Sequence, residues 1–307
     1  MKKNTAPSVL LVALAFATVY LVWGSTYFFI QRALTGFKPF VLGSLRFTTA
    51  GLLLMARCII RKEKIFSKPA IKTAAVMGLM LLFVANGIVI WVEQFMPSAM
   101  VAIMVSAAPI WFVVLDKPKW QENFTSRSTV IGLIIGFCGV VLLFGEQILG
   151  SISGLSGRMI LGLVLLTIGS LSWTGGSLYS KSRPSGASAM VGTAWQMIFA
   201  GLAFMPGIFF NHEWPATHWA EIPTQAWLSI LYLILMGSIA AYSAYVWLLQ
   251  VRPATQVSTY AYVNPVIAVI LGVLFAHENI SWMQIAGLFV ILGSVLLINL
   301  SKYRKGQ

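Results

Sequence analysis

Amide and aromatic side chains recur at helical spacing inside long apolar stretches of the sequence. Two series repeat at every fourth residue: Trp23, Tyr27 and Gln31, and then Gln256, Tyr260 and Asn264. Residues at i, i+4 and i+8 lie along one face of a helix. Because polar groups are costly in lipid, such a face is expected to line the interior of a helix bundle or a cavity.

Further polar and aromatic residues are expected to join these two faces around one cavity. Ser170, Thr174 and Ser177 form a hydroxyl stripe beside Trp173. The residues that could bind a substrate by stacking and hydrogen bonding are Trp23, Tyr27, Asn86, Trp173, Gln196, Tyr242, Tyr245, Tyr260 and Asn264. The alternative for each aromatic residue is helix packing or anchoring at the membrane interface. The alternative for each amide is a hydrogen bond between helices.

Two charged residues within or near apolar stretches, Arg46 and Glu93, could form an ion pair or contact a substrate carboxylate. Arg46 could also extend its guanidinium outward to the interface. The matching position in the second half of the chain is the uncharged Gln196. None of the eight acidic residues is expected at mid-depth, and Glu93 is expected near the outer face. This favours a uniporter or exchanger over an ion-coupled carrier, and it argues against a metal-ion substrate.

The sequence predicts neither a catalytic centre nor a metal or cofactor site. His212, His218 and His277 lie in or near predicted outer loops and lack the spacing of zinc motifs, and Cys58 and Cys138 form no metal motif. No phosphate-binding loop of the Walker type is present. An integral membrane enzyme and a channel remain alternatives, but neither paired titratable groups nor a carbonyl filter or charge ring is visible.

Composition identifies the bilayer as the solvent that these residues face. Of 307 residues, 58% are hydrophobic and 9% are charged, and the mean hydropathy is +0.85. Soluble domains carry about a quarter charged residues. Apolar stretches long enough to cross a bilayer predict an all-α integral membrane fold with ten spans, 8–31, 39–60, 73–95, 97–115, 128–147, 157–180, 187–210, 226–249, 254–276 and 281–300.

The net charge of +13 is distributed unequally between the two sides of these spans. With the N-terminus inside, 17 lysines and arginines fall on the inner side and 3 on the outer side. This positive-inside bias places both termini in the cytoplasm. The basic side is therefore expected to contact anionic lipid rather than nucleic acid.

The second half of the chain repeats the first. An offset of 150 residues pairs Trp23 with Trp173, and an offset of 156 pairs Pro97 with Pro253 and Glu122-Asn123 with Glu278-Asn279. The two repeats are predicted as 8–147 and 157–300. Because each has five spans, the second enters the membrane from the opposite side. Inverted repeats are typical of transporters that bind substrate near the midplane between the halves.

The motifs Leu21-Val22-Trp23-Gly24-Ser25-Thr26-Tyr27 and Leu45-Arg46-Phe47, together with the duplicated Pro…Pro…Glu-Asn series, resemble the EamA-type domain. Two such domains in tandem are typical of the drug/metabolite transporter superfamily. The resemblance implies ten helices around a central cavity and, in many members, export of amino acids or other metabolites across the bacterial inner membrane. The segment Asp116–Trp120 departs from its counterpart Gly272–Ala276, so the fourth span should end near Leu115.

These observations predict an inner-membrane transporter, without a cofactor, for small neutral or zwitterionic metabolites such as amino acids. It would work by alternating access, and export is the expected direction. The alternative substrates are drugs or other amphipathic compounds. Gly132, Gly136 and Gly139 form a small-residue face that could pack within the chain or form a dimer, and a monomer is favoured.

Overall fold

The computed structural model describes residues 7–96, 98–143, 145, 156–183, 188–276 and 281–303. These residues form α-helices with short turns and contain no β-strand, which confirms the all-α prediction. The first seven helices are α1 Val9–Leu34, α2 Pro39–Ile60, α3 Lys68–Val92, α4 Ser98–Ser106, α5 Ala108–Leu115, α6 Trp120–Thr125 and α7 Arg127–Leu143. The remaining helices are α8 Gly157–Ser182, α9 Ala189–Phe210, α10 Thr224–Val251, α11 Ala254–Val257, α12 Tyr260–Ala276 and α13 Trp282–Tyr303.

Seven helical stretches of the described chain are long and apolar enough to span a membrane. An eighth is obtained if Met100–Leu115 and Lys117–Thr125, bent by 71° against each other, count as one span. α7 and the part of α13 from Trp282 to Ile298 are shorter apolar helices. Many large apolar side chains on these helices are exposed, as expected of surfaces that contact lipid. The count of ten spans stays a prediction.

Serines set the beginnings of three of the long helices. The hydroxyls of Ser8, Ser156 and Ser188 accept the N–H groups of Leu11, Met159 and Val191 at the first turns of α1, α8 and α9. An N-cap serine satisfies an N–H that the helix itself leaves unpaired. α2 begins instead at Pro39, which has no N–H to satisfy.

Polar contacts show which helix termini meet at each end of the bundle. At the end that we call the basic end, the Ser188 hydroxyl donates to Glu63, and the Trp195 indole N–H donates to the Ile65 carbonyl oxygen at 2.9 Å. At the opposite end, Arg32 donates to the Gln225 side chain at 2.7 Å. α1, α3 and α9 therefore begin at the basic end, and α2, α8 and α10 end there.

Glycines allow the two tightest helix pairs to form. A Cβ on Gly51 of α2 would lie 2.8 Å from the Ile198 nitrogen, and a Cβ on Gly201 of α9 would lie 2.6 Å from the Thr48 nitrogen. These two glycines are 150 residues apart and occupy matching positions in the sequence repeat. On α7, Cβ atoms on Gly132, Gly136 and Gly139 would clash with α13. That glycine face therefore packs within the chain.

Two spans contain wide π-helical stretches that the apolar pattern does not reveal. They are Gly78–Ala85 in α3 and Leu233–Tyr242 in α10, and the offset of 156 residues superimposes them in the sequence repeat. A Cβ on Gly78 would lie 2.2 Å from the Gln196 carbonyl oxygen, so α9 runs against this stretch. π-helical turns inside α-helices are frequent at functional sites.

The fourth predicted span is interrupted near its middle. α4 ends at Ser106 and α5 begins at Ala108, with Pro109 in its first turn. α5 ends at Leu115, which confirms the predicted end. The Trp120 indole N–H then folds back to donate to the Val114 carbonyl oxygen at 2.8 Å. The sequence Asp116–Trp120 thus replaces a continued helix with a turn.

Candidate substrate cavity

A cavity of about 700 Å³, including space open to solvent, lies between α1, α2, α3, α4, α5, α8 and α12. Polar and aromatic groups from both halves of the chain share its wall with apolar residues. Its lining residues are Trp23, Thr26, Tyr27, Ile30, Arg46, Ala85, Asn86, Val89, Val105, Ala108, Leu166, Gly169, Ser170, Trp173, Tyr260 and Asn264. A mainly apolar lining with a few convergent polar groups is typical of small-molecule sites.

The structure brings most of the predicted site residues to this wall. Those that line the cavity are Trp23, Tyr27, Arg46, Asn86, Trp173, Tyr260 and Asn264. Those that do not line it are Glu93, Gln196, Tyr242 and Tyr245, all of which are buried. Thr26 and Ser170 also line the cavity; Ser170 belongs to the predicted hydroxyl stripe, whereas Thr26 was missed. Its spacing of three residues from Trp23 was the available signal.

One predicted helical face is only partly correct. Gln31 is exposed, although it is four residues from Tyr27 and eight from Trp23. Because 3.6 residues make one turn, a residue eight positions along a helix lies about 80° around the axis from the first. Gln31 therefore points away from the face of Trp23. On the second face, Gln256 belongs to the short helix α11, which a turn separates from Tyr260 and Asn264 in α12.

An aromatic cluster closes the cavity on the side of the basic end. The Trp23 ring centroid lies 5.4 Å from that of Trp173, 5.0 Å from that of Tyr245 and 4.9 Å from that of Tyr260. The Trp173 indole N–H donates to the Tyr245 hydroxyl at 2.9 Å. Trp23 and Trp173 are counterparts in the sequence repeat, so matching residues of the two halves meet at the centre of the bundle.

Hydrogen bonds between helix ends reinforce this closure. The Lys181 ammonium group donates to the carbonyl oxygens of Leu249 at 3.0 Å and Arg252 at 2.6 Å, tying α8 to α10. The hydroxyls of Tyr20 and Thr259 lie 2.6 Å apart and tie α1 to the turn before α12. These hydrogen bonds hold helix ends together between the aromatic cluster and the basic end.

Arg46 is the cation of the cavity wall, and its side chain does not extend outward to the interface. It is 3% exposed. Its Nε donates to the Ser238 hydroxyl at 2.9 Å, and its Nη1 donates to the Asn86 side-chain oxygen at 3.4 Å. Its Nη2 lies against Gly237, where a Cβ would be 3.1 Å away. In the described parts of the chain, no carboxylate oxygen lies within 4.0 Å of this guanidinium.

The second half contains an uncharged counterpart of the Arg46–Asn86 contact. Gln196 and Tyr242 match Arg46 and Asn86 at offsets of 150 and 156 residues. The Tyr242 hydroxyl donates to the Gln196 side-chain oxygen at 2.7 Å, and both residues are buried away from the cavity. The same pair of helices in each half thus carries a polar contact, but only the first half presents a charge to the cavity.

Several buried polar atoms near the cavity lack a hydrogen-bond partner within the described residues. They include the Ser170 hydroxyl, the Thr174 hydroxyl and the Asn264 side-chain oxygen. Ser170 and Asn264 line the cavity. Buried polar groups are nearly always paired in folded proteins, so these atoms are available to a bound molecule.

Glu93 follows the last residue of α3 and is 6% exposed. It lies at the end of α3 away from the basic end, and its carboxyl is enclosed by protein. Neither of its carboxyl oxygens has a hydrogen-bond partner among the described residues. Counting residues along a helix estimates depth, but it does not show which neighbours cover a side chain.

At the opposite end, α1 and α2 are fixed by loop and helix contacts. The Ser25 and Tyr232 hydroxyls lie 2.7 Å apart, and the ring of Phe29 stacks on that of Tyr232 at 4.0 Å. The Glu213 carboxylate accepts the N–H groups of Phe40 and Val41 at the start of α2. Burial raises the pKa of the Glu213 carboxyl, against the lowering effect of these N–H groups.

Known transporters match this chain along nearly its whole length. The model of the EamA-like transporter family matches residues 10–145 and 160–300. The chain is also 35% identical to the uncharacterized inner membrane transporter YedA of Escherichia coli (strain K12), over 94% of this chain and 90% of YedA. This chain belongs to the EamA-like transporter family. It is accordingly a multi-pass membrane protein, related to inner-membrane transporters.

More distant relatives and a solved structure also match this chain over 90% or more of its length. The chain is 25% identical to the uncharacterized transporter YvbV of Bacillus subtilis (strain 168), over 94% of this chain and 91% of that protein. It is 25% identical to protein PecM of Dickeya dadantii (strain 3937), over 90% and 88% of the two chains. A crystal structure of 16% identity matches 94% of this chain and 97% of its own with a TM-score of 0.71, which shows a shared fold.

Proposed function

We propose that this member of the EamA-like family transports small neutral or zwitterionic metabolites, with amino acids as the first class, by alternating access. The observation that carries the proposal is the cavity at the junction of the two halves. It combines a buried guanidinium at Arg46, amides at Asn86 and Asn264, and aromatic rings at Trp23 and Trp173. The guanidinium suits the carboxylate of a substrate, the amides suit its other hydrogen-bonding groups, and the rings suit its apolar part.

The orientation of the chain is part of this proposal. The 17-to-3 bias in lysine and arginine makes the basic end cytoplasmic, with both termini inside and the repeats 8–147 and 157–300 inverted. The aromatic cluster then closes the cavity on its cytoplasmic side, in the bacterial inner membrane. Alternating access would open this cluster and close the opposite end. Export is the direction that we expect, and the protein is expected to act as a monomer without a cofactor or metal.

A second substrate class is supported by the aromatic wall. Trp23, Trp173 and Tyr260 present rings that suit an amphipathic or drug-like compound as well as an amino acid. Such a compound would not need a carboxylate for Arg46. Parallel measurements with amino acids and with carboxylate-free aromatic amines therefore distinguish the two classes.

Flux into proteoliposomes tests the proposal, with the variants Asn264→Leu and Asn86→Leu as probes of the site. We expect protein-dependent counterflow of L-amino acids, reduced at least about fivefold by either variant, because a lost hydrogen bond to a buried polar group costs roughly 1–3 kcal/mol. Asn211→Leu, which changes an exposed asparagine at the opposite end, is the matched control.

Flux has to be compared per folded molecule. If expression falls while flux per molecule stays normal, Asn86 and Asn264 are structural and the site assignment is wrong. If no metabolite of a broad panel shows protein-dependent flux while an enzymatic turnover is detected, the transporter proposal is itself wrong.

A further inference from the structure

Glu93 is buried at the end of α3, beside an apolar cluster. Its neighbours Val92 and Met96 belong to an apolar cluster that also includes Tyr27, Val101 and Leu166. Its carboxyl oxygens have no hydrogen-bond donor within the described residues, and no cation of that part of the chain lies within 4.0 Å. A buried carboxylate normally accepts several hydrogen bonds or forms an ion pair, and this one does neither.

The charged and titratable groups around Glu93 are few. Tyr27 of α1 packs in the same apolar cluster as Val92 and Met96, and it lines the cavity together with Arg46 of α2. These two are the groups whose charge bears on Glu93. α4 contains no titratable residue. At this end of α8 the charged residue is Arg158, whose guanidinium stacks on the Phe95 ring at 4.3 Å. Arg46 is thus the cation that acts on Glu93 from the cavity wall, without touching it.

The protonation of Glu93 determines the charge that Arg46 offers to the cavity. With Glu93 ionised, the two charges offset each other, and an anion bound at Arg46 is repelled by the carboxylate. With Glu93 protonated, the buried carboxyl carries no uncompensated charge, and Arg46 remains a cation without a counterion. A substrate carboxylate would then supply the missing counterion with a bidentate hydrogen bond.

We propose that Glu93 is a proton-binding site, and that binding of a substrate carboxylate at Arg46 takes up a proton on Glu93. The inference rests on the proposed transport function. The proton comes from water on the side to which the cavity is open, and it adds to a carboxylate oxygen without any change in covalent bonding elsewhere. Linkage is reciprocal, so protonation favours the substrate and the substrate favours protonation.

This linkage replaces the expectation of an uncoupled carrier. A site that loads a carboxylate and a proton together carries both across the membrane in one step. An outward gradient of an accumulated amino acid then exports protons with it, and an inward proton gradient opposes that export. The uncharged Gln196–Tyr242 contact in the other half has no titratable carboxyl that could duplicate this role.

Infrared titration of the detergent-solubilised full chain tests the proton site without any substrate. We expect a protonated-carboxyl C=O band near neutral pH in the wild type and in Glu221→Gln, which alters an exposed carboxyl. The band should disappear in Glu93→Gln. Absence of the band in the wild type, or its persistence in Glu93→Gln, would overturn the inference whatever the protein transports.

Binding of L-phenylalanine at a series of pH values tests the linkage. In the wild type, we expect the affinity to fall about tenfold per pH unit above the titration of Glu93, as one linked proton requires. Glu93→Gln should bind tightly at every pH, and 2-phenylethylamine, which lacks a carboxylate, should show no such fall. Arg46→Gln introduces the residue found at the matching position, Gln196. This variant should lose binding of L-phenylalanine, and the pH dependence should be lost with it.

The two arms separate this inference from the proposed function. A Glu93 band together with pH-independent binding of L-phenylalanine would overturn the linkage and leave the transport proposal intact. A Glu93 band with no binding of L-phenylalanine at any pH would overturn the linkage and also count against amino acids as the substrate.

Discussion

Hydrogen bonds of single side chains decide which end of the cavity is closed. Trp173 donates to Tyr245, and the Tyr245 hydroxyl lies 2.6 Å from that of Ser177, so an inner chain of polar contacts backs the aromatic cluster. Lys181 then binds two carbonyl oxygens at the end of α10. Helical spacing predicted Trp173 and Tyr245 as neighbours of the site. It could not predict the Lys181 contacts, because they join residues far apart in sequence.

Replacing Lys181 with methionine should loosen the basic end. Two carbonyl oxygens, those of Leu249 and Arg252, lose a charged donor, and because Lys181 is exposed to solvent each bond contributes about 1 kcal/mol. We expect faster backbone hydrogen–deuterium exchange at Ala254–Val257, while the helix content stays unchanged. Lys72→Met, at an exposed lysine of the same end, is the control. Equal protection in the two variants would show that Lys181 does not hold this end closed.

At the scale of helices, the sequence predicted the positions of most spans but not their internal geometry. The π-helical stretches Gly78–Ala85 and Leu233–Tyr242 are apolar throughout, and their hydrophobic pattern does not differ from that of a regular helix. The break between α4 and α5 was also missed, although Pro109 is a local signal for it. Span ends marked by a serine, a proline or a charged turn were predictable because their signals are local.

Gly201→Ala should destabilise the pairing of α2 with α9. The added Cβ would meet the Thr48 nitrogen at 2.6 Å, which is backbone and cannot move aside alone. Overpacking of this kind costs about 1–3 kcal/mol. Gly293→Ala, where a Cβ would meet nothing within 4 Å, should be neutral or slightly stabilising. Thermal unfolding in detergent compares the two variants, and equal midpoints would contradict the packing argument.

For the whole molecule, the sequence repeat matches best among tryptophan and glycine residues that pack between helices and least at the charged residues. Trp23 meets Trp173, and Gly51 and Gly201 occupy matching positions in the α2–α9 pair. Arg46, in contrast, is matched by Gln196. The repeat could be read from the sequence because tryptophan, proline and glycine are rare enough to align. The burial of Glu93 could not, because it depends on side chains from other helices.

Substituted-cysteine labelling in intact cells tests the orientation of the whole chain. Lys64→Cys lies in the turn between α2 and α3 at the basic end, and Ala216→Cys lies between α9 and α10 at the opposite end; both positions are exposed. With the native cysteines Cys58 and Cys138 replaced, a membrane-impermeant maleimide should label Ala216→Cys only, and both variants after permeabilisation. The two sites belong to different halves. Labelling of Lys64→Cys in intact cells would contradict the cytoplasmic basic end, and labelling of both variants or of neither in intact cells would contradict the inversion of the second half.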